Sequence, residues 1–299
     1  MAFWRRRRKA IRLRPQRRQA QTCGEKLANR WHESLFLCVG LDAEYTRLPA
    51  TLVAKFPAVE DGLFEFNRRI IVATARWVCA YKPNLAFYEQ SGPAGLIALK
   101  RTCDFLHENY PDIPLILDAK RGDIASTNQG YAAAFFDYYR ADAVTVQPYL
   151  GRESLLPFLK RAEKHIFVLC RTSNPGGAEL QNLRVAPEGE PLYLKLAKLA
   201  QNEWNLKENV GLVAGATFPA ELAAIREAAP DLPLLVPGVG AQGGDLAAVL
   251  QGGLDRYRSG LIINSSRGII YASNQADFAE AAGQATEKLA QEIRNLARL

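Results

Sequence analysis

Three charged residues follow an apolar segment at a spacing that could support acid–base chemistry. Residues 115–117 are Leu-Ile-Leu, and Asp118, Lys120 and Asp123 follow them. The apolar segment predicts a buried strand, in which Asp118 and Lys120 share one face. Charges at the end of a buried strand are costly unless they are paired or perform a function. The pattern therefore indicates either an ion pair that closes a strand or a site of proton transfer.

Apolar segments that end in polar residues recur along the chain. They occupy residues 36–41, 78–87, 115–117, 143–146, 166–170, 210–213, 234–236 and 261–263. Amphipathic segments at residues 153–164, 192–204 and 218–229 separate several of them. Eight strands that alternate with helices predict a parallel sheet, which we expect to close into a single-domain (β/α)8 TIM barrel. An open doubly wound sheet is the alternative, but the Gly-x-Gly-x-x-Gly turn expected after its first strand is missing.

The active site of such a barrel lies at the carboxyl ends of its strands, so the polar residues there are the candidates. Asp42 follows the first predicted strand, Lys82 lies in the second and Ser173 follows the fifth. Each could have a purely structural role, as a loop cap, a solvated strand end or a turn residue. Together with Asp118 and Lys120 they would surround one opening of the barrel.

The loops after the seventh and eighth strands have the composition of a phosphate site. The seventh is followed by a glycine-rich segment that contains Gly238, Gly240, Gln242 and Gly243, and the eighth by Arg267. Glycines let backbone N–H groups approach phosphate oxygens, and an arginine can bind two oxygens at once. Phosphate sites in these barrels are commonly built from these two loops. We therefore expect a phosphorylated substrate.

The segment from Asp118 to Ile124, Asp-Ala-Lys-Arg-Gly-Asp-Ile, fits the pattern D-x-K-x-x-D-I at every fixed position. In this motif and in its strand-end residues the sequence resembles the orotidine 5′-phosphate decarboxylase family, and in particular its longer bacterial subgroup, type 2. The resemblance implies a carbon–carbon lyase that converts orotidine 5′-monophosphate to uridine 5′-monophosphate and CO2. This reaction is the last step of de novo UMP biosynthesis, and in this family it uses no metal or other cofactor.

The resemblance also implies roles for individual residues. Lys82, Asp118 and Lys120 would form a charge network in which Lys120 protonates the C6 carbanion. Asp123 and Thr127 would reach the active site of the partner subunit in a homodimer.

For the remaining candidates the resemblance implies contacts with the substrate. Asp42 would bind the ribose hydroxyls and Ser173 the pyrimidine edge. Gln242 and Arg267 would hold the 5′-phosphate. We expect the carboxylates on either side of Lys120 to keep it protonated at neutral pH.

Two other functions remain open from the sequence. A phosphosugar enzyme of the same barrel group, such as a 3-keto-gulonate 6-phosphate decarboxylase or a hexulose phosphate synthase, shares the D-x-K-x-x-D pattern but uses Mg²⁺. An acidic ligand of that ion is expected near the position of Lys82, and a lysine there would repel the metal. The other alternative is a non-catalytic protein that binds polyanions through its basic N-terminal segment.

The formal net charge of +7 comes from that segment. Residues 1–20 include nine basic and no acidic residues, so the remainder of the chain has a formal charge of −2. We expect residues 1–22 to be a basic, disordered extension and residues 23–299 to form the decarboxylase barrel. A targeting segment and a translation start placed too far upstream are the other interpretations of residues 1–20, and we favour the last. The folded part is not basic, so we do not expect nucleic acid to be its partner.

The cysteines and the hydropathy bear on where the protein works. Five cysteines without C-x-x-C spacing predict reduced, structural thiols and a cytoplasmic protein. The histidines show no spacing typical of metal ligands. Apolar runs are too short for a membrane span, so we expect no membrane partner.

Overall fold

Parallel strands form where the apolar segments predict them. The structure is a computed structural model that describes residues 21–238 and 245–298. The strands of its main sheet are β1 (Leu37–Gly40), β2 (Ala80–Lys82), β3 (Ile116–Arg121), β4 (Ala143–Val146), β5 (His165–Arg171), β8 (Val210–Ala214), β9 (Leu234–Pro237) and β10 (Leu261–Ser265). Strands β6 (Arg184–Val185) and β7 (Glu190–Pro191) pair antiparallel with each other.

Helices occupy most of the chain between these strands. The α-helices are α1 (Cys23–His32), α2 (Ala50–Lys55), α3 (Val59–Thr74), α4 (Ala86–Glu89), α5 (Gly92–Asn109), α6 (Ala125–Ala132), α7 (Gly151–Leu159), α8 (Gly177–Gln181), α9 (Leu192–Leu199), α10 (Pro219–Ala228), α11 (Leu246–Gly253), α12 (Arg267–Ile270) and α13 (Phe278–Ala297). Segments Tyr45–Arg47 and Ala75–Trp77 are 3-10 helices, and Ala133–Tyr138 and Ala200–Trp204 are π-helical. None of the helices within the described ranges is both long enough and apolar enough to cross a membrane.

The eight parallel strands close into a barrel. Their order is β2-β1-β10-β9-β8-β5-β4-β3, and each neighbouring pair is parallel. The two end strands meet through isolated parallel bridges between Tyr81 and Leu115 and between Asn84 and Asp118. The predicted (β/α)8 barrel is therefore confirmed.

The second strand is shorter than the sequence predicts. The apolar run at residues 78–87 predicts one long strand, but β2 ends at Lys82 and Ala86–Glu89 is helical. Pro83 has no N–H to continue a ladder. The side chain of Asn84 then accepts a hydrogen bond from Ala86 N at 3.2 Å, which favours a turn.

Side chains alternate between the barrel interior and the helical layer. Each of the eight barrel strands contributes one residue to a small interior cluster: Cys38, Ala80, Ile116, Ala143, Phe167, Val213, Leu235 and Ile262. Residues two positions further along a strand share its face and lie one layer closer to the carboxyl ends. On four of the strands that position holds Lys82, Asp118, Thr145 or Asn264. The apolar interior thus gives way to a polar layer at the barrel mouth.

Helix α1 covers the opposite end of the barrel. Thr22 and Glu25 form a capping box at its start. Cys23 and Leu27 pack against the interior cluster, and Lys26 Nζ lies 2.7 Å from Asp142 Oδ1 in a buried ion pair. Among the described residues, α1 therefore covers the amino-terminal end, while the carboxyl ends form the opposite mouth. Residues 1–20 of the predicted extension lie outside the described residues.

Candidate active site

Three charged side chains form an alternating array at the barrel mouth. Lys82 Nζ lies 2.9 Å from Asp118 Oδ2, and Lys120 Nζ lies 2.6 Å from Asp118 Oδ1. Asp118 thus bridges two ammonium groups, one with each of its oxygens. The structure brings together the three residues that the sequence predicts to form the charge network.

Burial and charge act in opposite directions on this array. Burial disfavours the ammonium form of Lys82, but the carboxylates of Asp118 and Asp42 offset it and raise the Lys82 pKa above its ordinary value. Burial likewise opposes ionisation of Asp118, yet Lys82 and Lys120 hold the Asp118 pKa well below its usual range. Lys82 and Asp118 are therefore both ionised at neutral pH.

Lys120 is the most accessible member of the array. Its side chain is 46% exposed, whereas those of Lys82 and Asp118 are 5% and 8% exposed. Its backbone has φ +48°, in the left-handed region that β-strand residues rarely enter. The carboxylate thus anchors an ammonium group that a ligand can still reach.

Asp42 is oriented by groups from two loops. Its Oδ1 accepts a hydrogen bond from Asn84 N at 3.1 Å, directly after β2. The hydroxyl of Tyr271 contacts the same loop, accepting from Glu44 N at 2.8 Å and donating to Asp42 O at 3.4 Å. The carboxylate of Asp42 is therefore held beside Lys82 and is available to bind hydroxyl groups.

A cavity of about 220 Å³ joins Asp42, Lys82 and Asp118 to the loops after β9 and β10, and Lys120 is not among its lining residues. Among its lining residues are the predicted Asp42, Lys82, Asp118, Gly238 and Arg267. Two larger depressions, of about 880 and 1260 Å³, lie beside Tyr271 and beside α1, and neither is lined by the charge array. The chemistry of its lining, rather than its volume, makes the smallest of the three the candidate site.

The described part of the loops after β9 and β10 has local geometry that depends on glycine. Gly238 has φ +100°, a backbone conformation that residues other than glycine rarely adopt. A Cβ on Gly40 would lie 1.7 Å from Ser266 Oγ, so glycine there leaves room for the β10 loop to enter the mouth. Arg267 is exposed at the start of α12. Gly240, Gln242 and Gly243 lie outside the described residues.

Asp123 and Thr127 lie outside the array. Asp123 Oδ1 accepts a hydrogen bond from Ile124 N at 2.7 Å, and the Asn128 side chain holds the Asp123 backbone. Within residues 21–238 and 245–298, no ion pair joins Asp123 to a basic side chain of its own chain. Thr127 is exposed on α6, and Ile124 between them is 59% exposed.

Ser173 lies in the loop after β5, and a buried arginine supports that loop. A Cβ on Gly215 would lie within 2.7 Å of Ser173 N, so the two loops approach closely. Arg171 is only 2% exposed; it pairs with Glu221 and donates to Thr172 O at 2.7 Å. Ser173 does not line the described cavity, so the structure places it near the mouth without bringing it to the array.

Sequence reasoning missed three polar residues of the site. Thr145 Oγ1 donates to Asp118 Oδ1 at 2.8 Å. Asn264 is 7% exposed, lines the cavity, and its Oδ1 has no hydrogen-bond partner among the described residues. Tyr271 contacts the Asp42 loop. The signal for Thr145 was a polar residue within a predicted apolar strand, and that for Asn264 was a polar residue directly after one.

The described residues contain no group of three or more His, Cys, Asp or Glu side chains arranged to hold a metal ion. The positive charges of the site come from Lys82, Lys120 and Arg267. These three cations, with the hydrogen-bonding groups of Asp42 and Asn264, suit an anionic ligand that also carries hydroxyl groups.

Comparison with known proteins identifies the same family along most of the chain. The model of the orotidine 5′-phosphate decarboxylase / HUMPS family matches residues 36–282. An orotidine 5′-phosphate decarboxylase of Herpetosiphon aurantiacus is 53% identical over 246 residues, which cover 82% of this chain and 88% of that protein. One of Cellvibrio japonicus is 49% identical over 275 residues, which cover 92% and 98%.

Solved structures agree with the sequence comparisons. The structure of Leishmania donovani OMP decarboxylase superposes with a TM-score of 0.79 at 38% identity, covering 93% of this chain and all of that one. The barrel, the charge array and these similarities lead to one conclusion. The chain belongs to the orotidine 5′-phosphate decarboxylase / HUMPS family.

Proposed function

We propose that this protein decarboxylates orotidine 5′-monophosphate to uridine 5′-monophosphate and CO2 at the mouth of its barrel. The observation that carries the proposal is the alternation of Lys82, Asp118 and Lys120 at 2.9 and 2.6 Å. In this proposal the array supplies a fixed, reachable ammonium group that stabilises the carbanion. The relatives named as orotidine 5′-phosphate decarboxylases support the choice of substrate.

The nucleotide would bind with its phosphate at the glycine-rich loop and Arg267. Asp42 would accept hydrogen bonds from the ribose hydroxyls, because Asn84 already fixes its carboxylate. Ser173 would meet the pyrimidine edge, and Gln242 would donate to the phosphate. This orientation directs C6 of the ring toward Lys120.

In the reaction the bond between C6 and the carboxylate carbon breaks, and its electron pair stays on C6 as CO2 leaves. The orbital at C6 lies in the ring plane, so the ring cannot delocalise the charge as an enolate would. The ammonium of Lys120 stabilises the developing carbanion electrostatically. It then donates a proton to C6, which forms the new C–H bond and leaves Lys120 neutral until it is reprotonated.

Asp118 holds Lys120 in place and lies near the departing carboxylate. Two like unit charges ~4 Å apart repel by roughly 4 kcal/mol at an effective dielectric constant of about 20. Asp118 already accepts hydrogen bonds from two ammonium groups and a hydroxyl, which offset its charge. We therefore assign the larger share of catalysis to Lys120. In this scheme the lysine supplies the positive charge, and neither a metal nor another cofactor takes part.

We further propose that the enzyme works as a homodimer in which Asp123 and Thr127 complete the partner's site. Both lie on the segment after β3 that contains the exposed Ile124, and among the described residues the Lys120 ammonium pairs with one carboxylate, that of Asp118. Tyr149 and Leu150 are also large exposed apolar side chains, 78% and 50% exposed. Exposed apolar side chains of this kind are common at subunit interfaces.

The five cysteines are buried with free thiols. Free thiols persist in reducing compartments, which supports a cytoplasmic location.

The test is the loss of orotidine 5′-monophosphate absorbance with purified protein in EDTA. We expect rapid conversion by the wild type, and loss of conversion in Lys120→Ala because no ammonium remains to stabilise and protonate C6. Lys207→Ala, which removes an exposed lysine after the π-helical segment, should leave the rate unchanged. Absence of turnover by the folded wild type would refute the proposal and favour the phosphosugar reaction, and turnover of orotidine 5′-monophosphate only with added Mg²⁺ would refute the metal-free scheme.

A further inference from the structure

Thr145 lies at the one irregular junction between β3 and its neighbour β4. Leu117 pairs with Val144 and Arg121 pairs with Val146, so the register of the two strands shifts between these pairs. Asp118, Ala119 and Lys120 on β3 lie opposite the single residue Thr145 on β4. A bulge of this kind removes backbone groups from the normal ladder and redirects side chains.

The hydroxyl of Thr145 replaces the missing ladder contact. Lys120 N donates to Thr145 Oγ1 at 3.1 Å, and Thr145 Oγ1 donates its own proton to Asp118 Oδ1 at 2.8 Å. The donor roles are unambiguous, since a backbone N–H can only donate and an ionised carboxylate can only accept. One hydroxyl therefore contacts both the bulged backbone of Lys120 and the carboxylate that pairs with its side chain.

The same contact bears on the backbone of Lys120. Its φ of +48° is unfavourable for a residue with a side chain, so surrounding contacts must hold it there. Thr145 is 1% exposed, so its hydroxyl makes these contacts in a buried position. Without this hydroxyl, the Lys120 N–H would lose the hydrogen bond that it makes within the bulge.

We propose that Thr145 is a positioning residue that fixes Lys120 and Asp118 relative to each other for the decarboxylation. The inference rests on the proposed function. Thr145 acts through the two charged residues rather than on the substrate. Its role is to hold the ammonium within the narrow geometry that proton donation to C6 requires.

Thr145→Val tests this because valine has nearly the shape of threonine but no hydroxyl. We expect kcat to fall between about 10- and 100-fold, as for a small misplacement of a catalytic group. The affinity for uridine 5′-monophosphate should stay within about twofold, since Arg267 and Asp42 are untouched and the product has no departing carboxylate. Thr145→Ser keeps the hydroxyl and should restore most of the lost kcat.

Thr286→Val is the matched control for loss of a buried hydroxyl. Thr286 is fully buried and donates to Ala282 O at 2.6 Å within α13. This variant should lose stability comparable to Thr145→Val while keeping kcat. An unchanged kcat in Thr145→Val, or a loss that Thr145→Ser does not reverse, would overturn the inference. An inactive wild type would instead refute the proposed function, so the two failures are distinguishable.

Discussion

Asp118 accepts hydrogen bonds from Lys82, Lys120 and Thr145, and these three donors explain how a carboxylate remains ionised at 7% exposure. A buried charge without partners would be neutralised instead. Removing one partner leaves the charges of the other members uncompensated, so each member of the array depends on the rest.

The motif was recognisable in the sequence because charge at the end of an apolar strand is rare. Thr145 was not, because a threonine within an apolar run is also an ordinary strand residue.

A second buried titratable group sets the acid stability of the fold. His165 is 3% exposed at the start of β5, and burial lowers its pKa to about 4. In an unfolded chain the pKa of histidine is about 6.5, so between these values only the unfolded chain binds the proton. The free energy of unfolding should therefore decrease as the pH falls from 7 to 4, by about 3 kcal/mol from this residue. Urea titrations at a series of pH values measure this change in the free energy of unfolding.

His165→Leu removes the titrating group and should flatten this part of the pH profile. His32→Gln changes an exposed histidine on α1 and should leave the profile as in the wild type. If His165→Leu keeps the wild-type slope between pH 6.5 and 4.5, another group governs the acid lability.

At the scale of elements, the sequence predicted the positions of the strands better than their ends. Strand β4 occurs as predicted at Ala143–Val146, and helix α10 differs from its prediction by one residue at each end. Strand β2 was predicted too long because apolar residues continue past Pro83 into the short helix Ala86–Glu89. Strand β3 continues beyond the apolar segment 115–117 through the charged residues Asp118 and Lys120, which the sequence analysis placed on one face of it. The bulge depends on pairing with β4, which no local pattern encodes.

The loop after β5 depends on one ion pair between elements. Arg171 in β5 is buried against Glu221 in α10, with its guanidinium 4.2 Å from the ring centre of Phe218. Glu221→Gln keeps the shape but removes the charge, and we expect it to lower the free energy of unfolding by about 2 kcal/mol. Glu227→Gln on the exposed face of the same helix should cost almost nothing. Equal effects in the two variants would show that the pair contributes little.

At the scale of the whole molecule, the proposed dimer can be tested by mixing two inactive variants. Lys120→Ala and Asp123→Asn would each disrupt a different half of a site shared between subunits. In a mixed dimer one site carries both changes and the other carries neither. After subunit exchange at equal concentrations, we expect about one quarter of the wild-type activity to return.

The controls are the two variants taken separately through the same exchange step, and each should stay inactive. If Asp123 served the site of its own chain, every site in the mixed dimer would carry one change and no activity would return. Full activity of Asp123→Asn alone would also exclude the shared site.

The barrel closes at the strands that carry the proposed catalytic residues. Strands β2 and β3 meet through two isolated bridges, and the Lys82–Asp118 ion pair spans that junction. Besides its proposed catalytic role, the pair joins the first and last strands of the sheet order. A substitution of Lys82 or Asp118 would therefore lower the proposed activity and also destabilise the junction between β2 and β3. The two positions are constrained both by catalysis and by closure of the barrel. A nucleotide bound between Lys82 and Lys120 would tie the two strands together, so occupancy of the site and integrity of the barrel reinforce each other.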